Sequence, residues 1–143
     1  MAPAIIRRGC YTLVISLRKK KWIHIGSLGK GCFPHGIYLY TGSAMNGLRG
    51  RLSRHLDNRP KRRHWHIDYL LMCPEARVKK VLIYPPTRQE CDLNQRVGKL
   101  PGAAVILKGF GASDCAFGCP AHLYYFSKNR PPRVGRQGTI FKV

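Results

Sequence analysis

The chain has 143 residues, with 26 Lys or Arg against 6 Asp or Glu, so its formal net charge at pH 7 is +20. This length predicts one compact domain, and a hydrophobic content of 44% excludes wholesale disorder. No apolar run reaches the roughly 18 to 20 residues that cross a bilayer, so a membrane span is excluded.

The first third of the chain predicts β-structure. Residues 10–17 are rich in β-branched and aromatic side chains, and residues 22–25 alternate in polarity after a lysine run, so we predict a first hairpin. Residues 26–36 carry four glycines and a proline and predict a loop. Residues 37–41 predict another strand, paired with the first.

The pattern then changes to a helical period. Leu48, Leu52 and Leu56 recur every four residues, which indicates an amphipathic helix. Ser43 or Asn46 would cap its N-terminus, because both side chains can accept a hydrogen bond from a backbone amide.

The second half alternates between helices and strands. Residues 65–72 predict a short helix, and residues 78–84 predict a strand. Thr87 and Glu90 have the spacing of a capping box, which predicts a helix to about residue 97. Two further strands are predicted, at residues 103–107 and 121–126. Together these elements predict an α+β fold with a central, mainly antiparallel sheet flanked by helices.

We expect the folded domain to occupy residues 1–127. Residues 128–143 contain two prolines, two glycines and five basic residues, which predicts a flexible basic tail.

The net charge predicts a polyanionic partner, since a compact chain so rich in cations repels itself. The basic residues are spread over predicted loops, strands and helices, so nucleic acid is favoured over a membrane surface. With no secretory signal pattern, we expect a cytoplasmic location. The densest basic cluster consists of Arg49, Arg51, Arg54, Arg59, Lys61, Arg62 and Arg63.

Two glycine–tyrosine motifs and the segment after them resemble the GIY-YIG nuclease superfamily. Residues 9–11 (Gly-Cys-Tyr) resemble its first signature, residues 40–42 (Tyr-Thr-Gly) its second, and residues 43–55 the helix that carries its arginine. Gly36-Ile37-Tyr38 spells the first signature literally, but it lies too close to Tyr40 to leave room for a hairpin between the two motifs.

Within the superfamily, the chain is similar to a branch found alone or attached to endonuclease III-type DNA glycosylases, mostly in archaea. The similarity extends from residue 9 to about residue 126. The segments that carry it are YTGSA, RLSRH, HWHIDYLL, Glu90-Cys91, GFGASDC and Ala121-His122-Leu123.

The resemblance implies a metal-dependent DNA endonuclease, acting on branched, damaged or single-stranded DNA and linked to DNA repair. One of Tyr11 or Tyr40 would act as general base or position the attacking water, and Arg51 would stabilise the phosphorane. His55 would assist proton transfer or hold the phosphate. Glu90 would bind one Mg²⁺ or Mn²⁺ ion. A single carboxylate ligand is chemically sufficient, because such a cation keeps several waters.

Each of these residues also has a structural interpretation. Tyrosines in strands are commonly packing residues, Arg51 and His55 could be the solvated flank of a basic helix, and Glu90 could cap its helix.

Many superfamily members have a lysine where Ser43 stands. A non-catalytic nucleic-acid-binding module, or a basic protein that binds structured RNA, is therefore the alternative. The expected nucleic-acid contacts are Ser43, Arg49, Arg54, Lys61, Arg62, Arg63, His64 and His66.

Three cysteines and a histidine have spacings that could suit a metal. Cys115, Cys119 and His122 are separated by three and two residues, and Cys91 is available from the preceding helix. Four such ligands suit Zn²⁺. The pattern is not a paired CxxC, and free cysteines are often simply buried, so we favour thiols over a zinc site.

Overall fold

The computed structural model describes residues 8–57, 59, 62–113, 115–127 and 139–142. Within them, three α-helices and seven β-strands follow one another along the chain. The helices are α1 (Leu48–Leu56), α2 (His66–Leu71) and α3 (Glu90–Gly98). The strands are β1 (Gly9–Leu17), β2 (Lys21–His24), β3 (Lys30–Phe33), β4 (Gly36–Ala44), β5 (Ala76–Ile83), β6 (Leu123–Phe126) and β7 (Thr139–Lys142).

A central antiparallel sheet has the strand order β6-β4-β1-β5-β7. β1 lies in the middle with both faces covered, which explains why its sequence is apolar nearly throughout. The predicted α+β class and mainly antiparallel sheet are confirmed, as is the pairing of β4 with β1.

The sheet has a hydrophobic core on each face. On one face, Tyr11, Leu13 and Ile15 of β1 pack in a cluster with Leu48 of α1 and Ile67 of α2. On the other face, the residues of β1 that point the opposite way pack with α3; this cluster includes Cys10, Val14, Leu93 and Val97. The sheet therefore separates α1 and α2 from α3.

The predicted hairpin between residues 10–17 and 22–25 is wrong. β1 pairs with β4 and β5, whereas β2 pairs with β3 in a separate two-stranded sheet. A strand buried on both faces needs a neighbour on each side, while β2 is solvated on one face. β3 lies in the glycine-rich segment predicted as a loop, joined to β2 through a 3₁₀ turn in which Gly26 and Gly29 adopt positive φ.

The predicted helix caps are also wrong. α1 begins after Gly47, which has a left-handed conformation, and Ser43 still belongs to β4. α3 begins at Glu90, with Gln89 at the cap position and no side-chain cap hydrogen bond. Glu90 therefore does not form the predicted capping box with Thr87.

The C-terminal part of the fold also differs from prediction. Residues 103–107 contribute only an isolated bridge between Ala104 and Tyr125 instead of a strand. β7 pairs with β5, so the sheet continues beyond the predicted domain boundary at residue 127. The rest of the predicted tail, residues 128–138 and 143, lies outside the described residues. None of the described helices combines the length and apolar character of a membrane span.

A buried carboxylate fixes the start of α2. Asp68 Oδ2 accepts hydrogen bonds from the backbone N–H groups of His64 and Trp65, at 2.8 and 2.9 Å, and from the Arg54 guanidinium at 2.9 Å. The Asp68 side chain is fully buried. Burial alone would raise its pKa, but the hydrogen bonds from Trp65, Arg54 and His64 outweigh burial and hold the pKa below its ordinary value.

We predict that Asp68→Asn lowers the free energy of unfolding at neutral pH by about 2 kcal/mol, because Arg54 loses its charge partner. A depressed folded-state pKa gives stability that is present above the unfolded pKa of about 3.9 and lost as pH falls through the folded pKa. The difference between parent and variant should therefore shrink in acid. Urea denaturation at pH 7 and near pH 3 measures this, and a difference that is the same at both pH values would contradict it.

Candidate functional site

A cleft of about 630 Å³ opens where the end of β4 meets the start of α3, and α2 and the segment 111–122 contribute its other walls. The cleft brings together many of the residues singled out in the sequence. Those that line it are Tyr40, Ser43, Arg51, His64, His66, Glu90, Cys91, Cys115 and His122.

Tyr11 and Tyr40 lie on adjacent strands and on the same face of the sheet. The register pairs Tyr11 with Gly42, and the two tyrosine ring centroids are 6.4 Å apart. Tyr38 donates its hydroxyl to the backbone carbonyl of Pro34. The literal Gly36-Ile37-Tyr38 motif thus directs its tyrosine hydroxyl to a local turn, whereas Tyr11 faces α1.

Gly42 allows the Tyr11 ring to lie directly over the backbone of β4. A Cβ atom at this position would stand 2.7 Å from both Cζ and the hydroxyl oxygen of Tyr11. The Tyr11 hydroxyl reaches α1, where it shares a hydrogen bond of 2.8 Å with His55 Nε2. The glycine of the second signature is therefore required by the close approach of the tyrosine of the first.

The four predicted catalytic residues divide into two pairs. Tyr40 and Arg51 line the cleft. Tyr11 and His55 are almost fully buried, and His55 borders a smaller cavity of about 180 Å³ next to Leu71. The Tyr11–His55 pair thus supports the wall of the cleft from behind.

The tyrosine hydroxyls keep their protons at neutral pH. Burial raises the pKa of both Tyr11 and Tyr40 well above the ordinary value, and the Arg51 guanidinium opposes only part of that rise. Neither tyrosine is therefore a phenolate in the free protein.

Arg51 is held against the end of β4. Its guanidinium donates to the backbone carbonyl of Ser43 and lies over the Trp65 ring, 4.6 Å from the ring centroid. Only one of its five N–H donors is needed for the Ser43 bond, so the fork can also bind an anion. Trp65 was not predicted as a site residue, because an aromatic next to a helix start is ordinarily a core residue.

Glu90 joins three parts of the fold. Ser43 Oγ donates to Glu90 Oε1, and His122 Nδ1 lies 2.7 Å from Glu90 Oε2. Burial alone would raise the pKa of Glu90, but the hydrogen bonds from His122 and Ser43 outweigh it and hold the pKa below the ordinary value. Glu90 is therefore ionised at neutral pH, and among the described residues it is the only carboxylate that lines the cleft.

His66 has a defined tautomer. Its Nδ1 accepts a hydrogen bond of 2.9 Å from the Gly111 backbone N–H, which leaves the ring proton on Nε2. Burial lowers the pKa of His66, so the ring is neutral at pH 7 and Nε2–H is a hydrogen-bond donor. His64 is exposed at the cleft wall, with its ring edge-on to Trp65.

The cations of the basic cluster differ in their exposure and partners. Arg49, Arg62 and Arg63 are exposed. Arg54 and Arg59 have acidic partners, since Arg54 pairs with buried Asp68 and Arg59 with Asp57. Lys61 lies outside the described residues. The cleft wall also includes Phe117, 72% exposed, which no periodic pattern in its glycine-rich segment could have revealed.

The three cysteines and the histidine noted in the sequence lie together. The ligand atoms of Cys91, Cys115, Cys119 and His122 all lie within 4.8 Å of one another. Cys91 Sγ is 3.5 Å from Cys115 Sγ and 3.9 Å from His122 Nε2. A hydrogen bond from His122 lowers the pKa of Cys115 to about 6. Burial would lower the pKa of His122, but its bonds to Glu90 and Cys115 raise it to about 9.

This small α+β domain, with a polar cleft at one end of its antiparallel sheet, belongs to the family described as domain of unknown function DUF123. The family model matches residues 10–138, which is most of the chain. No curated protein and no solved structure matches the chain.

We predict that Gly42→Ala destabilises the protein by about 2 kcal/mol, because the new methyl group displaces the buried Tyr11 ring. Gly50→Ala is the matched control. Gly50 lies on α1 with nothing within 4 Å of the position that a Cβ atom would take, so alanine there should stabilise the helix by up to about 1 kcal/mol. Denaturant unfolding of both variants measures the difference, and equal effects would contradict the close approach of Tyr11.

Proposed function

We propose that the protein is a metal-dependent endonuclease that hydrolyses phosphodiester bonds in DNA, in the cytoplasm. The observation that carries the proposal is the meeting of Tyr40, Arg51 and ionised Glu90 in one cleft. The resemblance to the GIY-YIG nucleases and the net charge of +20 support the same activity.

Phosphodiester hydrolysis needs a positioned water and a sink for the negative charge of the transition state. Arg51 supplies a fixed cation for the phosphoryl oxygens, held by Ser43 and Trp65. Tyr40, with its hydroxyl protonated, positions the attacking water or donates a hydrogen bond to the phosphate. Tyr11 and His55 act as positioning residues, since they hold the wall behind Tyr40.

The residues present fit a divalent cation such as Mg²⁺ or Mn²⁺. Glu90 offers an ionised carboxylate in the cleft, and Ser43 and His122 fix the orientation of its two oxygens. One carboxylate together with waters and substrate phosphates is a common ligand set for Mg²⁺. When bound, such a cation supplies charge stabilisation at the phosphate and a more acidic water.

The surface around the cleft suits nucleic acid. Arg49, Arg62 and Arg63 are exposed and offer phosphate contacts, and His66 Nε2–H offers a neutral donor in the cleft. Exposed Phe117 is available for stacking on an unpaired base, which favours single-stranded or damaged DNA as substrate.

The alternative is a non-catalytic nucleic-acid-binding module. It is favoured by the contacts of Glu90, since both carboxylate oxygens already have a partner in Ser43 or His122. The two proposals predict the same binding and differ in cleavage.

We predict that Glu90→Gln reduces DNA cleavage by several orders of magnitude, because an amide is a poor Mg²⁺ ligand. Binding of the same DNA should persist. Cleavage of a panel of branched, nicked and single-stranded DNAs, with Mg²⁺, Mn²⁺ or EDTA, measures this.

The matched control is Asp92→Asn, on the same helix. Asp92 is 53% exposed and pairs only with Arg88 and Arg96 among the described residues, so this variant should cleave like the parent. Cleavage by Glu90→Gln at the parental rate would overturn the metal role. A parent that binds these DNAs but cleaves none of them would establish the binding module.

We also predict a steep loss of DNA affinity with salt, because neutralising phosphates releases counterions. Arg49→Gln should reduce the salt slope by about one counterion. Arg59→Gln should change it less, because Asp57 already pairs with that guanidinium at 2.8 Å. Fluorescence anisotropy between low and physiological salt measures the slopes, and an affinity independent of salt would contradict the phosphate contacts.

A further inference from the structure

We propose that Cys91, Cys115, Cys119 and His122 form a structural zinc site of the Cys₃His type. The site stands on the geometry of these four side chains and does not depend on nuclease activity.

The distances match what zinc requires. Tetrahedral Zn²⁺ with Zn–S bonds of about 2.3 Å places its sulfur ligands about 3.8 Å apart. Cys91 Sγ and Cys115 Sγ are 3.5 Å apart, and Cys91 Sγ is 3.9 Å from His122 Nε2. All four ligand atoms lie within 4.8 Å of one another, so small side-chain rotations complete the tetrahedron.

The site joins parts of the chain that need a connection. Cys91 lies in the first turn of α3, and His122 immediately precedes β6. Between those elements, the described part of residues 99–122 contains only the isolated bridge at Ala104. A long segment with so little regular structure is uncommon in a compact domain unless something orders it. Zinc held by these four ligands attaches the segment to α3.

His122 is oriented as a zinc ligand requires. Its Nε2 faces Cys91, while Nδ1 donates to Glu90 Oε2 at 2.7 Å, and the ring is almost fully buried. Metal-binding histidines commonly donate their second ring N–H to a carboxylate, which fixes the tautomer and the ring plane. Glu90 occupies that position, so one hydrogen bond joins the proposed zinc ligand His122 to the carboxylate of the cleft.

The charge and ligand count indicate a structural role. Four protein ligands leave no open coordination position for a water or substrate. Three thiolates, a neutral imidazole and Zn²⁺ sum to a net charge of −1, which repels phosphate instead of binding it. The thiol protons pass to solvent when the metal binds.

The competing outcome is a disulfide between Cys91 and Cys115. Their sulfurs would have to approach from 3.5 Å to about 2.05 Å, and the reaction would require an oxidant. The two outcomes differ in metal content and in mass, so they can be distinguished directly.

The test measures zinc in the full chain, purified under reducing conditions without chelator. Elemental analysis should give about one zinc ion per chain. Cys115→Ser and Cys119→Ser should each bind less than about a tenth of that amount. Cys32→Ser, in β3 and outside the cluster, is the matched control and should keep its zinc.

Cobalt provides a readout that does not require the variants to fold. The parent protein, stripped of zinc and titrated with Co²⁺, should develop thiolate-to-cobalt charge-transfer bands and the intense visible bands of tetrahedral coordination. A parent with neither zinc nor this spectrum overturns the proposal, as does a Cys91–Cys115 disulfide found by mass mapping of protein kept reduced during purification. Equal loss of zinc in Cys32→Ser also overturns it. A parent that binds zinc but cleaves no DNA supports the zinc site and counts only against the nuclease.

Discussion

The register between β1 and β4 sets the positions of Tyr11, Tyr40 and Ser43 relative to one another. Nine residue pairs, from Gly9 opposite Ala44 to Leu17 opposite Gly36, fix this register. This register places the Tyr11 ring over Gly42, where only glycine leaves room for the ring. Slipping one strand by a single residue would turn its side chains to the opposite face. Tyr40 would then face α3, and the cleft next to Arg51 would lose its tyrosine.

Glu90 attaches the start of α3 to two other parts of the fold. Its carboxylate is bound by Ser43 at the end of β4 and by His122 before β6. A half-buried carboxylate needs such partners to remain ionised. The same contacts that keep Glu90 charged therefore set its direction into the cleft, and a change at His122 would also change the orientation of the Glu90 carboxylate.

Local patterns predicted the fold class, the three helices and the pairing of β4 with β1, because hydrophobic periodicity is a local property. They failed where the partner is determined by the tertiary structure. β2 pairs with β3 because β1, buried on both faces, takes β4 and β5 as its two neighbours. The spacing of Thr87 and Glu90 could not reveal that Glu90 has hydrogen-bond partners at Ser43 and His122. The sequence indicates the four metal-ligand candidates, but it does not predict that they lie together, because Cys91 is remote from Cys115 in sequence.

The charges around the cleft relate the two proposed metal sites to each other. A protein with a net charge of +20 attracts DNA but repels the divalent cation that hydrolysis needs. The cleft counters this repulsion locally, since ionised Glu90 lies beside a Cys₃His zinc centre whose net charge would be −1. Arg51, which also lines the cleft and contacts Ser43, remains the anion-binding group. Negative charge for the cation and positive charge for the phosphate would thus be present in one cleft, and the zinc centre would keep its structural role by holding His122, the partner of Glu90.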